Sequence, residues 1–257
     1  TGGTGTDSLY LYLDGNADET LVNSVSGFEN ITFMDRAGGN TATTLTFGAY
    51  NPGTGKNITI DASALDATDT ANFVVDASGV TASATTGKQI TYTGGANAES
   101  LTLGNDDDTA NMGVGNDTVV GTAGSNTIDM GAGNDSVTAG SGIENISGGA
   151  GNDTINMGTV LTALDTVDGG AGTDSVSGGA GQDLISGGAG ADNVYGGAGE
   201  DILIDIEGGD SIFGDGTGEG TLRSDDNFVV GEGTKVMDFD LSPDGTGLSG
   251  KIGRAHV

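Results

Sequence analysis

Aspartate recurs at a nine-residue interval from Gly94 onward, and carboxylates spaced so regularly can hold metal ions. Blocks such as GGAGNDTIN (148–156) and GGAGTDSVS (169–177) begin with six small, turn-forming residues that end in Asp. Calcium takes roughly 6–8 oxygen ligands from carboxylates and backbone carbonyls. One turn offers too few oxygens, so the spacing predicts ions held between two stacked turns. Binding and folding would then be one event, because stacked carboxylates repel each other without a cation.

The second half of each block predicts a very short strand with one inward side chain. Block position eight is apolar, and most of its residues are β-branched: Val119, Ile128, Val137, Ile146, Ile155, Val167, Val176, Ile185, Val194, Leu203 and Ile212. A three-residue strand cannot bury its apolar face alone. Stacking every second block, about 4.8 Å apart, lets the strands pair in parallel. The pattern therefore predicts an all-β solenoid with two blocks per coil.

These blocks resemble the repeat-in-toxin (RTX) nonapeptide GGxGxDxUx, a calcium-binding β-helix repeat. The resemblance covers about 94–213, with one longer block at 157–168 and an isolated copy, GGTGTDSLY, at 2–10. It implies a right-handed parallel β-roll with calcium as the bound ion. The sustained register and the apolar position argue against a structureless Gly-Asp tract.

The resemblance implies that the carboxylates at block position six bind calcium: Asp117, Asp135, Asp153, Asp165, Asp174, Asp183, Asp192, Asp201 and Asp210. Alternate blocks would lie on opposite edges of the roll. One edge then carries Asp117, Asp135, Asp153, Asp174, Asp192 and Asp210; the other carries Asn126, Glu144, Asp165, Asp183 and Asp201. Backbone carbonyls of the turns are expected to complete each coordination shell.

The first edge is predicted to be well filled, with ions between pairs such as Asp135/Asp153 and Asp174/Asp192. The second edge should be poorly filled before Asp165 and well filled at Asp183/Asp201. Asn126 lacks a charge, and Glu144 is one methylene longer than Asp. Asp165 belongs to the lengthened block, whose turn should be distorted. Two further carboxylates fit less well: Asp108, whose block has Ala110 at position eight, and Asp210, which follows a degenerate turn.

Composition limits the classes of function. The 257 residues include 7 Lys plus Arg against 37 Asp plus Glu, a formal net charge of −30. That charge argues against nucleic acid and against an anionic membrane as partners. A solvated, halophile-type surface is the alternative explanation of the acidity. With no Cys, no GxSxG motif and no His outside the tail, the sequence predicts no catalytic site. No apolar stretch is long enough to predict a membrane span.

Residues 1–93, apart from the copy at 2–10, show apolar residues at every second position, which predicts strands. Turn-forming clusters separate these strands, so a more irregular β-solenoid is expected, with a β-sandwich as the alternative. Residues 214–250 predict strands that cap the open end of the roll. The tail 251–257 resembles a translated sequencing adapter, and we expect it not to be native.

The sequence therefore predicts a piece of a secreted, extracellular protein exported through a one-step (type I) secretion channel, which folds on binding calcium outside the cell. A surface-layer or adhesin-type structural protein at the cell surface is the first hypothesis, with cell-surface polysaccharide or self-assembly as candidate interactions. The alternative is the folding and secretion module of an RTX protease, lipase or haemolysin whose catalytic domain lies elsewhere.

Overall fold

The computed structural model describes most of the predicted array and parts of its flanks. The described residues are 5–13, 20–21, 27–35, 43–47, 57–66, 73–80, 89–158, 164–198, 201–207, 210–213, 227–230, 239–240 and 249–250. The chain divides into two compact units, Thr1–Gly142 (unit 1) and Ile143–Val257 (unit 2). Among the described residues there are strands and no helix, so none of them forms a helix that could cross a membrane. The predicted non-native tail lies outside the described residues.

Unit 1 is built from short parallel strands that alternate between two sheets. Its described strands are β1 (Ser8–Leu13), β2 (Thr20–Leu21), β3 (Asn30–Asp35), β4 (Thr43–Thr46), β5 (Ile58–Asp61), β6 (Phe73–Asp76), β7 (Ile90–Thr93), β8 (Glu99–Thr102), β9 (Thr109–Asn111), β10 (Thr118–Val120), β11 (Thr127–Asp129) and β12 (Ser136–Thr138). The odd-numbered strands follow one another in one sheet and the even-numbered strands in the other. Each coil therefore gives one strand to each sheet, as a solenoid requires.

Coil length distinguishes the two parts of unit 1. In the repeat region Thr91 pairs with Thr109, so the coil between them is two nonapeptides long. Before it, Ile58 pairs with Ile90, so the coil there is considerably longer than two nonapeptides. The strands are parallel in both parts, so the irregular solenoid predicted for the first part is confirmed and the β-sandwich alternative, which needs antiparallel sheets, is wrong.

Unit 2 continues the same construction with shorter strands. Its described strands are β13 (Asn145–Ser147), β14 (Thr154–Asn156), β15 (Thr166–Asp168), β16 (Ala171–Gly172), β17 (Ser175–Ser177), β18 (Leu184–Gly190), β19 (Asn193–Tyr195), β20 (Ile202–Glu207), β21 (Ser211–Phe213), β22 (Asn227–Val230), β23 (Phe239–Asp240) and β24 (Ser249–Gly250). One sheet has the order β13-β15-β18-β20-β22, with β16 beside β18, and the other has the order β14-β17-β19-β21. β23 and β24 form a separate antiparallel pair. The capping role predicted for 214–250 stays a prediction, as do the domain boundaries at 93/94 and 213/214.

The lengthened block does not disturb the strand register of unit 2. Ile146 pairs with Val167 across the coil that contains this block, and Val167 pairs with Ile185 across a coil of two regular nonapeptides. The extra residues of the block are thus absorbed outside the strands. Residues 159–163 of this block lie outside the described residues.

The inward direction of block position eight is confirmed. All eleven residues predicted there are at most 2% exposed, and they stack coil upon coil, as Val119 does on Val137. Burying one such side chain contributes about 1.5–3 kcal/mol. In the irregular coils the alternating residues also point inward, and Phe33 meets Phe73 edge to face at 4.6 Å between ring centroids. The core is therefore a narrow apolar column within each unit.

Glycine lets the turns of neighbouring coils come into direct contact. Gly170 and Gly172 adopt φ values of +101° and +152°, which disfavour any side chain. Between them, the N–H of Ala171 donates to the carbonyl oxygen of Gly149 at 2.7 Å. A Cβ atom at Gly172 would overlap the carbonyl oxygen of Gly151 on the preceding coil. The turn glycines therefore serve both backbone conformation and close stacking.

We expect Gly172→Ala to destabilise the calcium-saturated protein more than Gly158→Ala, the matched control. Gly158 also has a positive φ, +79°, but a Cβ there meets no described atom within 4 Å. The control should lose about 1–2 kcal/mol to backbone strain alone. Gly172→Ala should lose about 1–3 kcal/mol more, because the methyl group overpacks the coil contact and because φ +152° disfavours Ala more than φ +79° does. Urea unfolding measures both, and equal losses would contradict the steric explanation.

Candidate metal centre

The nine aspartates predicted as ligands are all buried in the structure. None is more than 3% exposed, although most lie at the end of a Gly-rich turn. Their burial follows from block geometry, because position six is two residues before the inward apolar side chain of position eight, and alternate residues of a strand share a face. The structure thus places these carboxylates inside the roll.

Hydrogen bonds join these carboxylates to the preceding coil. In unit 2 the backbone N–H of Asp174 donates to Oδ1 of Asp192 at 2.8 Å, and the N–H of Asp192 donates to Oδ1 of Asp210 at 2.9 Å. The N–H of Asp183 donates in the same way to Oδ1 of Asp201 at 3.0 Å. The position-six residues therefore form a ladder along each edge, here called the carboxylate ladder.

The two edges predicted from alternate blocks agree with the two ladders found within each unit. In unit 2, Asp153, Asp174, Asp192 and Asp210 form one ladder, and Glu144, Asp165, Asp183 and Asp201 form the other. In unit 1, the N–H of Asp117 donates to Oδ1 of Asp135 at 2.7 Å. The predicted pair Asp135/Asp153 has one member in each unit and stays a prediction.

The second carboxylate oxygen has a different environment from the first. Several Oδ2 atoms are fully buried and have no hydrogen-bond partner: those of Asp117, Asp165, Asp174, Asp183 and Asp192. A buried polar atom without a partner costs free energy, and a buried carboxylate oxygen costs more. These atoms therefore need a ligand other than a protein hydrogen-bond donor.

A backbone carbonyl faces the same space as the unpartnered oxygen in the central coils of unit 2. A Cβ atom added at Gly169 would lie 2.5 Å from the carbonyl oxygen of Gly187 and 2.9 Å from Oδ2 of Asp174. At Gly178 the corresponding distances are 2.5 Å to the carbonyl oxygen of Gly196 and 2.9 Å to Oδ2 of Asp183, with Cδ1 of Ile185 also at 2.5 Å. Glycine at block position one thus lets a carboxylate oxygen and a carbonyl oxygen of the next coil approach the same point, which a side chain would block.

The donor chemistry fits a hard cation such as calcium. All the converging atoms are carboxylate or carbonyl oxygens, which calcium prefers. No three acidic or histidine side chains come together among the described residues. Any ion held here would therefore depend on backbone carbonyls as well as on the ladder carboxylates, as the sequence predicts.

The chain supplies no positive side chain to neutralise the ladder. Residues 89–222 contain no Lys, Arg or His at all. Burial raises the pKa of Asp117 and of Asp183 to about 7 and that of Asp192 to about 6. Backbone hydrogen bonds oppose this pKa shift, and neighbouring ladder carboxylates add to it. Without a cation the ladder carboxyl groups therefore keep their protons to a higher pH than an ordinary aspartate does.

Departures from the repeat change the ladder locally. Both oxygens of Asp108 accept backbone N–H groups, from Ile90 at 2.7 Å and Gly104 at 3.0 Å, so its carboxylate is already satisfied. Asn126 keeps the ladder bond through Oδ1, which accepts the N–H of Asp108 at 3.0 Å, but adds no charge. Asp165 keeps its place despite the lengthened block, accepting the N–H of Glu144 at 2.8 Å.

Sequence reasoning missed two ladder members, Glu29 and Glu99. Glu29 is 6% exposed and accepts the N–H of Asp7 at 2.6 Å through Oε2. Glu99 is 2% exposed, and its own N–H donates to Oδ1 of Asp117 at 2.8 Å. Signals were present for both. Glu99 is position six of the first block, 94–102, and SGFENIT (26–32) repeats almost unchanged as SGIENIS (141–147), where Glu144 occupies block position six.

Asn residues at block position five form a second, outer set of bonds between coils, which the repeat pattern did not reveal. Oδ1 of Asn116 accepts the N–H of Asn134 at 2.9 Å, and Oδ1 of Asn152 accepts the N–H of Thr173 at 2.8 Å. These side chains are on the exposed side of the turn and reinforce the stacking there.

Parallel coils with Gly-rich turns and buried oxygen donors define a calcium-binding β-roll. Comparison with known families agrees: the model of the RTX calcium-binding nonapeptide repeat matches in four copies, at residues 93–128, 112–143, 138–156 and 165–203. The chain thus carries RTX repeats, a family of calcium-binding nonapeptides. No curated protein and no solved structure matches the chain.

The raised pKa values predict an unusual pH dependence for the calcium-free protein. Above the ordinary Asp pKa of about 3.9 the unfolded carboxyl groups ionise, while the folded groups keep protons until about pH 6–7. Stability should therefore be fullest below about pH 4 and fall as the pH rises to about 7. Urea unfolding in metal-free buffer at about pH 5 and pH 7.5 tests this. Asp183→Asn should weaken the dependence, and greater stability at the higher pH would contradict it.

Proposed function

We propose that this chain is the calcium-binding β-roll of an extracellular protein, and that calcium ions bound between consecutive coils complete its fold. The observation that carries the proposal is the set of buried Oδ2 atoms without hydrogen-bond partners, in a stretch without any basic side chain. Protonation or a cation from solution can neutralise their charge, and only the cation does so without holding the pH low. Calcium binding by the repeats themselves follows from the family.

The ligands we propose are the ladder carboxylates together with the carbonyl oxygens at block position one. In unit 2 they are Asp153, Asp174, Asp192 and Asp210 on one edge and Asp165, Asp183 and Asp201 on the other; in unit 1 they are Asp117 and Asp135. Bound calcium would turn the repulsion between successive carboxylates into attraction through a shared ion. Folding and calcium binding are then coupled.

An extracellular location suits this coupling, and RTX repeats commonly accompany one-step secretion. Calcium sites in extracellular modules have dissociation constants of about 10⁻⁴–10⁻³ M. They would stay empty in a low-calcium cytosol and fill outside the cell. A site at about ten times its dissociation constant adds about 1.4 kcal/mol of stability, so several sites together can decide whether the roll folds.

For the parent protein we propose a structural role of the surface-layer or adhesin type. The support is that the described coils before the repeat region continue the solenoid, with β1, β3, β5 and β7 in one parallel sheet. Within the described residues the fold is a repeat solenoid rather than a catalytic one. The neighbouring gene sequence tests this: more solenoid supports it, whereas an upstream HExxH or GxSxG motif would assign the roll to a secreted enzyme.

Calcium should increase the β-sheet signal of the purified chain, and magnesium should not replace it. Magnesium is smaller and gives up its water reluctantly, so it fits poorly among carbonyls that cannot move. Circular dichroism during titration of the metal-free protein with each ion measures this, with calorimetry for stoichiometry. A spectrum that calcium leaves unchanged would refute the proposal.

Asp183→Asn should weaken calcium binding while leaving the ladder intact. An Asn at position six keeps the acceptor oxygen, as Asn126 shows, but loses the charge. We expect affinity at the affected sites to fall on the order of tenfold, since ligand charge sets calcium affinity. Asp129→Asn is the control, because it removes the same charge from an exposed strand position of the repeat region. Equal effects of the two changes on calorimetric titrations would contradict the assignment.

A further inference from the structure

The two units differ sharply in what they bury. Among the described residues, unit 1 buries 22 apolar and 5 acidic side chains, whereas unit 2 buries 9 apolar and 8 acidic ones. Each buried apolar side chain favours folding, and each buried carboxylate opposes it unless its charge is offset. Unit 2 therefore buries almost as many acidic side chains as apolar ones, whereas unit 1 buries far more apolar than acidic ones.

Unit 1 also buries larger apolar groups. Phe33, Phe73 and Tyr92 lie in its core at no more than 2% exposure. In its repeat region, block position one holds Leu103 and Met112, both fully buried, where unit 2 mostly has Gly. The extra side chains fill the interior of coils that otherwise contain one apolar residue per block.

The acidic side chains of unit 1 are partly satisfied by the protein itself. Asp108 accepts two backbone N–H groups, one on each oxygen. Oε1 of Glu99 accepts the N–H of Gly95 at 2.9 Å, whereas its Oε2 is buried without a hydrogen-bond partner. At the position where a further Asp would follow Asp108, the neutral Asn126 takes its place. One edge of unit 1 thus carries no unpartnered carboxylate oxygen at Asp108 or Asn126.

In the central coils of unit 2 each ladder carboxylate accepts a backbone N–H through Oδ1 only, and none has both oxygens bound as Asp108 does. Gly169, Gly178 and Gly187 stand at block position one, so no side chain enters the core there. Four unpartnered carboxylate oxygens are buried in the same coils, those of Asp165, Asp174, Asp183 and Asp192. The apolar gain there is limited to one aliphatic side chain per block, namely Val176, Ile185 and Val194.

We propose that the calcium requirement for folding is confined to unit 2, and that unit 1 keeps its fold without calcium. The proposal rests on the proposed function, in that calcium is the ion that offsets the ladder charge. Calcium binding at Asp117 and Asp135 adds to the stability of unit 1 but does not create its fold. Unit 1 is then folded with or without calcium, and unit 2 folds only when calcium is bound.

Hydrogen exchange with mass spectrometry on the full chain tests this, first in a metal-free buffer and then in millimolar calcium. Amides of β5, β7 and β9 should be protected in both conditions. Amides of β15, β18 and β19 should exchange on the order of a hundredfold faster without calcium, and calcium should protect them. Protection of the unit 2 strands in metal-free buffer, or loss of protection in both units, would overturn the inference.

These outcomes separate the inference from the proposed function. If calcium protects both units equally from an unprotected state, the confinement to unit 2 is wrong and calcium-coupled folding stands. If calcium changes neither unit, both are wrong. A variant of unit 2 with Asp174→Asn, Asp183→Asn and Asp192→Asn provides an independent check. It should show slower exchange than the parent in metal-free buffer and a smaller calcium response; unchanged exchange would contradict charge burial as the cause.

Discussion

Buried carboxylates without a protein counter-charge are the constraint on which this structure depends. The ladder Asp residues tie successive coils together through Oδ1, and the same residues bring a second oxygen into the interior. No basic side chain lies anywhere between residues 89 and 222 to offset that charge. The interaction that stacks the coils thus creates the electrostatic problem that only protons or a cation can relieve.

Glycine allows the buried carboxylate oxygens and the carbonyl oxygens that could share a cation with them to lie close together. At Gly169 the missing side chain leaves room between a carboxylate oxygen and the carbonyl of the next coil. At Gly172 the missing side chain lets the coils touch. A larger residue at either position would separate the oxygens or the coils. The high glycine content is therefore a requirement of coil spacing as much as of turn conformation.

Most of what could be predicted from the sequence came from its nine-residue repeat. It fixed the parallel register, the inward direction of residues such as Val119, and the ladder positions such as Asp174 and Asp192. It could not reveal Glu29, because the coils before residue 94 vary in length and only the pairing of Ser8 with Asn30 places Glu29 beside Asp7. Nor could it show that Asp108 is satisfied by two backbone N–H groups, since that depends on how its coil meets β7.

The same nonapeptide can be stabilised in two physically different ways, and two of its positions decide between them. An apolar residue at position one, as Leu103 in the block whose Asp108 accepts two backbone N–H groups, adds hydrophobic burial to a coil. Glycine there, with Asp at position six, gives up that burial and leaves oxygens that a cation can bridge, as at Gly178 and Asp183. The residues at positions one and six differ from coil to coil. Calcium dependence can therefore be confined to one segment of a solenoid, while the rest of the fold is insensitive to the ion.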